Sequence, residues 1–172
     1  MKQVLFSAVL FLALVANGQE DKSKRPSPPG TATGKVNGAT ITIDYSSPSV
    51  KGRKIWGELV PYDKVWRAGA NEATIFQTDK NITVEGKTLA AGKYSLYAIP
   101  GEKGWTIIFN SATGQWGINN DGSTTEDPAK DALRVTVTPK KSASFNEKLM
   151  YKVDSKGFAL LWENLEVPVS IK

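Results

Sequence analysis

Apolar and polar side chains alternate at every second residue over much of this chain, and this alternation is what most constrains its fold. Ile41, Ile43 and Tyr45 alternate with polar residues, and the same pattern returns at 133–137 and 149–153. Because successive side chains of an extended strand point to opposite faces, this period is typical of half-buried β-strands. Each segment is followed by Gly, Pro or Asp, residues that form tight turns.

Further apolar or β-branched runs bounded by turn residues complete the predicted set of strands. They cover residues 74–78, 82–84, 93–99, 105–110, 158–162 and 165–171. The last two are predicted to form a hairpin around Glu163 and Asn164, with Pro168 marking an edge or a bulge because proline cannot donate a ladder hydrogen bond. Helical turns are expected only at 55–60 or 128–132. We therefore predict an all-β antiparallel β-sandwich of about nine short strands, with at most one or two short helical turns.

The first residues have the pattern of a secretory signal peptide. Lys2 precedes an apolar run at 4–16, and the small residues Ala16 and Gly18 fit a cleavage site after Gly18. A membrane-spanning helix needs about 20 apolar residues, so this run is too short to predict one. We therefore expect residues 1–18 to be a signal peptide, and the mature chain to be exported, periplasmic or secreted, and not membrane-spanning.

The next stretch, residues 19–35, is charged and then rich in Pro, Gly and Thr. Such a composition buries too little apolar surface to offset the entropy of ordering the chain, so a flexible leader is predicted there. Residues 36–172 are predicted to be a single β-sandwich domain, of a size that can bury a core without cross-links.

Cysteine and histidine are both absent from the chain. Their absence excludes disulfides, thiolate metal sites and cysteine nucleophiles, and it removes the general base that enzymes use most often near neutral pH. No cofactor and no metal site are predicted, although the acidic loop at 119–131 leaves an irregular calcium site open. The 22 Lys and Arg residues are dispersed among 17 Asp and Glu, without the basic stripe typical of nucleic-acid binding, so no nucleic-acid partner is expected.

Residues 52–74 hold an unusual density of chemically useful side chains between two predicted strands. Aromatic rings beside arginine, asparagine and glutamate in one cleft would suit a glycan or a small anionic ligand, because rings stack and a guanidinium binds oxygens in pairs. The candidate ligand-binding residues are Arg53, Trp56, Tyr62, Trp66, Arg67, Asn71 and Glu72. The alternative is a structural connection in which the tryptophans fill the core and Arg53 or Arg67 pairs with Glu58 or Glu72.

The sequence of this segment, GRKIWGELVPYDKVWRAGANEAT, resembles the signature of the domain-of-unknown-function 2911 family. Residues 90–101, 105–110, 115–117 and 161–164 resemble further blocks of that family, so the resemblance covers roughly residues 26–171. It implies an exported protein of Bacteroidetes-type or related bacteria. No biochemical activity is established for the family, so the resemblance implies no catalytic residues.

A non-catalytic binding or structural module of the periplasm or cell exterior is therefore the expected function. Two alternatives stay open. The first is a carboxylate-dependent glycan hydrolase drawing on Asp44, Glu58, Asp63 or Glu72, which would need two carboxyl groups about 5–9 Å apart. The second is a structural envelope protein that docks on a protein partner through an exposed strand edge.

Overall fold

Ten antiparallel strands account for nearly all the regular structure of this computed structural model, which describes residues 21–172. The predicted signal peptide at 1–18 lies outside the described residues. The strands are β1 (Pro29–Val36), β2 (Ala39–Ser46), β3 (Thr74–Thr78), β4 (Ile82–Val84), β5 (Lys87–Leu89), β6 (Gly92–Ile99), β7 (Trp105–Asn110), β8 (Asp131–Val137), β9 (Lys140–Asp154) and β10 (Gly157–Ser170). Among the described residues the helical elements are two short 3₁₀ turns, Lys22–Lys24 and Pro128–Lys130. Neither is long or apolar enough to cross a membrane.

Six of the strands form one antiparallel sheet in the order β1-β2-β3-β6-β7-β8. A second layer is built on the long β9–β10 hairpin. It is extended on one side by the segment after β2, where Ser49 bridges to Lys148, and on the other by the β4–β5 hairpin, where Val84 bridges to Ile171. In β2 the buried residues alternate with more exposed ones from its start, as expected for a strand with one covered face.

Aromatic side chains of both layers meet in the core. Phe158 of β10 packs against Phe76 of β3 and Phe109 of β7, with ring centroids 5.6 and 6.5 Å apart. Tyr45 of β2 and Tyr151 of β9 lie edge to face at 5.0 Å. Contacts of this kind between two facing sheets are what defines a sandwich core, and the predicted all-β class is confirmed.

Most strands lie where the sequence pattern predicts them, including β2, β3, β4, β6, β7 and β8. The 3₁₀ turn at 128–130 falls in one of the two stretches expected to be helical. The other stretch, 55–60, forms turns closed by a hydrogen bond from Val60 N to Ile55 O at 2.9 Å. Pro61 follows directly, and a residue that precedes proline avoids the helical conformation.

The flexible leader predicted at 19–35 is wrong for residues 29–35, which belong to β1. All eight residues of β1 pair with β2. Gly34 also allows β1 to lie close to β9, because a Cβ at Gly34 would be only 2.9 Å from Cγ1 of Val153. Composition reflects side-chain burial, and it misses the backbone hydrogen bonds and the close approach that hold this strand.

The hairpin predicted around Glu163 and Asn164 is also wrong, because β10 runs through both residues. The register with β9 shifts on either side of Glu163, which has a φ of 55°. Asn146 Nδ2 of β9 donates to the carbonyl oxygen of Glu163 at 3.3 Å. The turn signal therefore marks a β-bulge within one long strand. Pro168 lies beyond Glu166, the last β10 residue that pairs with β9, so it removes no hydrogen bond of that ladder.

Candidate functional site

Residues 52–74, which we call the signature segment, leave the sheet after β2 and return to it alongside β6. Trp66 exchanges two backbone hydrogen bonds with Ala98 of β6, at 2.7 and 2.9 Å. Thr74, the first residue of β3, pairs with Leu96 of the same strand. Trp66 and β3 therefore occupy successive positions along one edge of β6, and residues 67–73 loop out between them. We call residues 67–73 the excursion loop.

Two buried hydroxyl groups hold the start of the excursion loop. Ala68 has a φ of 51°, in the left-handed region that residues other than glycine seldom occupy. Its carbonyl oxygen accepts hydrogen bonds from Thr74 Oγ1 at 3.0 Å and from the Tyr151 hydroxyl at 2.7 Å. Burial raises the pKa of Tyr151, so this hydroxyl keeps its proton and remains a donor. The bonds fix the backbone next to Arg67 in an otherwise unfavourable conformation.

Trp66 belongs to a cluster of four tryptophans in the core. It stacks on Trp162 with an interplanar angle of 16° and ring centroids 5.9 Å apart. Trp56 lies edge to face against Trp66, Trp105 and Trp162 at distances of 5.0–6.0 Å. Edge-to-face packing sets positive ring edges against negative ring faces. This packing partly offsets the free-energy cost of burying three indole N–H groups, which have no hydrogen-bond partner within residues 21–172. The tryptophans thus fill the core, as the structural alternative predicts.

Arg67, the next residue along the chain, has no counter-ion among the described residues. Its Nε and Nη1 atoms are buried and lack a hydrogen-bond partner within residues 21–172. Gly117 lies against the aliphatic part of the side chain, since a Cβ there would be 2.2 Å from Cδ of Arg67. Burial lowers the pKa of the guanidinium, but arginine remains charged in proteins at neutral pH. The result is a partly desolvated, unpaired cation.

A cavity of about 250 Å³ opens beside Trp66 and Arg67. Its walls come from two chain segments, residues 59–67 and 118–124. The side chains that line it are apolar or cationic, apart from one threonine: Leu59, Pro61, Lys64, Val65, Trp66, Arg67, Ile118 and Thr124. We call this space the Arg67 cavity. None of its lining residues in the described chain is acidic, and two of them, Lys64 and Arg67, are cationic.

Asn71 and Glu72 bind the N-terminal segment and do not line the Arg67 cavity. The Glu72 carboxylate accepts hydrogen bonds from Lys22 Nζ at 2.8 Å and from Arg25 Nη1 at 3.0 and 3.1 Å. Asn71 Nδ2 donates to the carbonyl oxygen of Ser27 at 2.9 Å. These contacts tie the residues before β1 to the excursion loop.

Arg53, Tyr62 and Trp56 also lie outside the Arg67 cavity. Arg53 donates to two carbonyl groups of its own loop, at 2.6 and 3.1 Å. Tyr62 and Trp56 line a different cavity, of about 430 Å³, between the signature segment and β9–β10. Of the candidate residues, only Trp66 and Arg67 share the Arg67 cavity, so the structure does not gather all seven into one cleft.

The ion pairs expected from the structural alternative do not form. Glu58 pairs with Lys54 at 3.1 Å, and Glu72 pairs with the N-terminal segment. Neither Arg53 nor Arg67 has a carboxylate partner among residues 21–172. The acidic groups of the signature segment are therefore engaged elsewhere, and this leaves the Arg67 charge unbalanced.

Glu72→Gln is expected to loosen the N-terminal segment in a pH-dependent way. Burial opposes ionisation of Glu72, but hydrogen bonds from Lys22, the Glu72 backbone and Arg25 outweigh burial and lower its pKa to about 2 from 4.5. A carboxylate whose pKa is lower in the folded state than in the unfolded state stabilises the fold. This stabilisation is complete above the unfolded-state pKa and is lost as the pH falls towards the folded-state pKa. Because the side chain is 35% exposed, solvent screening limits the effect to about 1 kcal/mol.

Urea denaturation of wild type and Glu72→Gln at pH 7 and at pH 2.5 measures this contribution. The difference between the two proteins should be about 1 kcal/mol at pH 7 and should be clearly smaller at pH 2.5, which lies well below the unfolded-state pKa and approaches the folded-state pKa of about 2. Glu58→Gln is the control, because Glu58 makes a solvent-exposed pair that contributes little. A Glu72→Gln effect of equal size at both pH values would contradict the role given to its charge.

The acidic loop at 119–131 is held by its own side chains. Asp121 closes a turn by accepting two hydrogen bonds, at 2.6 and 2.9 Å. Glu126 and Asp131 both pair with Arg134, at 2.7 and 2.5 Å. In the described part of the chain, no group of three or more Asp, Glu, His or Cys residues is placed to hold a metal ion.

Several residues of the Arg67 cavity are not among those predicted from sequence. Leu59 and Lys64 lie within the signature segment but carry no distinctive pattern. Ile118 comes from a loop that reaches the cavity only through tertiary contact, and Gly117 of the same loop lies against Arg67. The one local signal is Ile118 itself, an apolar residue directly before the turn-forming sequence Asn-Asn-Asp-Gly, where no strand is predicted to bury it.

Comparison with known proteins identifies the family of the chain. The model of the family DUF2911, described as a protein of unknown function, matches residues 27–171. Neither the curated proteins nor the solved structures include a significant match. The matched span contains all ten described strands, the excursion loop and both walls of the Arg67 cavity. The chain belongs to the DUF2911 family, the family that its signature segment resembles.

Proposed function

We propose that this chain is a non-catalytic binding protein that takes a small anionic ligand in the Arg67 cavity and acts outside the cytoplasm after export. The observation that carries the proposal is the half-buried guanidinium of Arg67, whose Nε and Nη1 are buried without a hydrogen-bond partner and which has no counter-ion among residues 21–172; Arg67 also forms part of the wall of a cavity. Export is supported by Lys2 and the apolar run at 4–16.

A buried, unpaired charge is unfavourable for the folded protein. Ionisable groups in such perturbed environments concentrate at functional sites, above all where they face a cavity. An anion bound in the Arg67 cavity would supply the missing counter-charge, with a carboxylate or phosphate oxygen accepting a charge-assisted hydrogen bond from Nη2, the guanidinium nitrogen that is not among the buried, unpartnered atoms. Lys64 lines the same cavity and adds a second positive charge. The fixed backbone at Ala68 keeps the guanidinium in place before the ligand arrives.

A glycan fits the observed geometry less well than an anion does. Sugar binding uses an open aromatic face together with hydrogen-bonding groups of both kinds. Trp56 is only 8% exposed, and Trp66 has one face stacked on Trp162. The Arg67 cavity also has no amide or carboxylate side chain among its described lining residues. These features favour charge recognition over hydroxyl recognition.

A carboxylate-dependent hydrolase is less well supported as well. Its general acid would need a raised pKa, whereas the pKa of Glu72 is lowered to about 2. Asp44 accepts a hydrogen bond from Thr31 Oγ1 at 2.7 Å, and Glu58 pairs with Lys54 at 3.1 Å. These candidate carboxylates are therefore engaged in separate structural contacts.

Docking on a protein partner stays a prediction. β1 and β8 are the outer strands of the six-stranded sheet, and strand edges can pair with another chain. β1 lies close to β9 at Gly34, and a carbonyl group of β8, that of Arg134, already accepts Lys87 Nζ at 3.1 Å. Neither edge is as distinctive as the unpaired guanidinium in the Arg67 cavity.

Arg67→Met is expected to abolish anion binding and to make the ligand-free protein more stable. Methionine has an apolar chain without the charge, so the free energy of unfolding should rise by about 1 kcal/mol. In a zwitterionic buffer, the melting temperature of the wild type should increase with the concentration of sodium acetate or sodium phosphate, because a ligand that binds only the folded state stabilises it. Thermal unfolding followed by tryptophan fluorescence gives both readings.

Lys54→Met is the matched control for this experiment. Lys54 is also a cation of the signature segment, but its side chain is 69% exposed and it does not line the Arg67 cavity. The control variant should keep the anion-dependent rise in melting temperature. The proposal fails if Arg67→Met retains that rise undiminished, or if acetate and phosphate act no differently from sodium chloride at equal ionic strength.

A further inference from the structure

We infer that the ligand of the Arg67 cavity is a small amphiphilic monocarboxylate, with its carboxylate on Arg67 and a short aliphatic chain between Leu59 and Ile118. This inference rests on the proposed anion-binding function and adds the chemical class of the anion. It draws on two properties of the cavity that the proposed function does not use, its apolar rim and its size, together with the way the guanidinium is enclosed.

The rim of the Arg67 cavity is unusually apolar for an exposed surface. In residues 21–172 five large hydrophobic side chains are exposed, and two of them, Leu59 at 44% and Ile118 at 36%, line this one cavity. They come from different chain segments and are joined there by Pro61, Val65 and Trp66. Single exposed apolar residues are ordinary, whereas several around one concave site indicate that an apolar group is bound there.

The guanidinium is enclosed in a way that leaves one direction of approach. Nε and Nη1 of Arg67 are buried, and the backbone at Gly117 lies against the aliphatic part of the side chain. Nη2 is not among the buried, unpartnered atoms, and Arg67 lines the cavity, so we place the approaching anion at Nη2. A ligand whose oxygen binds at Nη2 would place its remaining atoms against the apolar residues of the rim, such as Leu59 and Ile118.

The size of the cavity suits a short aliphatic chain. A volume of about 250 Å³ has room for a ligand of about eight non-hydrogen atoms, at about 30 Å³ for each. Hexanoate has that number, with six carbons and two oxygens. Inorganic phosphate would satisfy the charge and leave the apolar rim in contact with water. A carboxylate with a chain of this length satisfies both.

Isothermal titration of the mature protein with acetate, hexanoate and hexanamide tests the inference. Each methylene group buried against the rim raises affinity about fourfold, and partial burial of the four that distinguish hexanoate from acetate predicts at least tenfold tighter binding of hexanoate. Hexanamide has nearly the same shape without the charge, and it should bind at least tenfold more weakly than hexanoate.

The outcomes separate this inference from the proposed function. Equal affinity for acetate and hexanoate would overturn the amphiphilic ligand and leave an anion site in place. No binding of acetate, hexanoate or phosphate would overturn the proposed function itself. Equal affinity for hexanamide and hexanoate would show an apolar pocket that does not use Arg67, and this would overturn both.

Variants of the rim give an independent reading. Leu59→Ser and Ile118→Ser should each weaken hexanoate binding by about three- to fivefold and leave acetate binding unchanged, because only the aliphatic chain touches these side chains. Phe145→Ser is the matched control, since Phe145 is 55% exposed and lies outside the Arg67 cavity. All three positions are exposed, so the variants are expected to fold. An unchanged preference for hexanoate over acetate in both rim variants would refute the placement of the chain.

Discussion

Replacing Trp162 by alanine is expected to lower the free energy of unfolding by about 3–5 kcal/mol, the usual cost of removing a large aromatic side chain from a core. Trp162 is 1% exposed and lies against two other tryptophans, Trp56 at 5.7 Å and Trp66 at 5.9 Å. It stands on β10, whereas Trp56 and Trp66 belong to the signature segment. The substitution therefore leaves a cavity between the second layer and the connection that carries Arg67.

Urea denaturation followed by circular dichroism measures this loss. Trp116→Ala is the matched control, because it removes the same side chain from a position that is 47% exposed, where the expected change is below about 1 kcal/mol. Comparable destabilisation by the two substitutions would contradict the view that the tryptophan cluster holds the signature segment to the sandwich.

Much of the fold could be predicted from sequence because alternation is a local property. A strand with one covered face shows its period in its own residues, as β2 and β8 do. β1 alternates too, but its inward residues before Val36 are Gly30, Ala32 and Gly34, which bury little apolar surface, and the strand depends on pairing with β2 and on the close approach of Gly34 to β9. The bulge at Glu163 is likewise set by the facing strand, and a turn signal alone does not distinguish it from a hairpin.

The candidate site could be predicted only in part, for the same physical reason. The density of rings and charges in the signature segment indicates that Trp66 and Arg67 belong to a special region. It does not show which charge will find a partner, because the partners are distant in sequence. Glu72 meets Lys22 across 50 residues, and the contact of Arg67 with Gly117 joins two loops on either side of β3–β7.

The unpaired state of Arg67 follows from how charge is distributed around the excursion loop. Glu72 is the one carboxylate of this loop, and Lys22 and Arg25 of the N-terminal segment hold its oxygens. Arg25 also lies over the ring of Trp116, 5.8 Å from its centroid. The N-terminal segment thus keeps the one acid of the excursion loop away from Arg67, and this is the charge arrangement on which the proposed anion site depends.

Gly117→Ala is expected to abolish anion binding and to lower the free energy of unfolding by about 1–3 kcal/mol, the range for an added group in a packed site. The new Cβ would lie 2.2 Å from Cδ and 2.7 Å from Cβ of Arg67. Rotation of the arginine side chain can relieve the first contact but not the second, because Cβ is fixed by the backbone. The backbone at Gly117 must therefore move away from Asn71, whose carbonyl oxygen accepts a hydrogen bond from Gly117 N at 3.1 Å, and the adjoining cavity wall at Ile118 moves with it.

The matched control is Gly104→Ala, because the nearest atom to a Cβ there is 3.8 Å away and neither glycine has a left-handed φ. Urea denaturation and hexanoate titration should show little change in that variant. A double-mutant cycle with Arg67→Gly separates a clash with the arginine from a general effect on the loop. Arg67→Gly removes Cβ, Cγ and Cδ, the three atoms that the new Cβ would meet, so Gly117→Ala should destabilise that background less than it destabilises the wild type. Equal destabilisation in the two backgrounds would mean that Gly117 is needed for a reason other than its contact with the arginine. The packing of the 117–118 backbone on Arg67 would then no longer support the anion site.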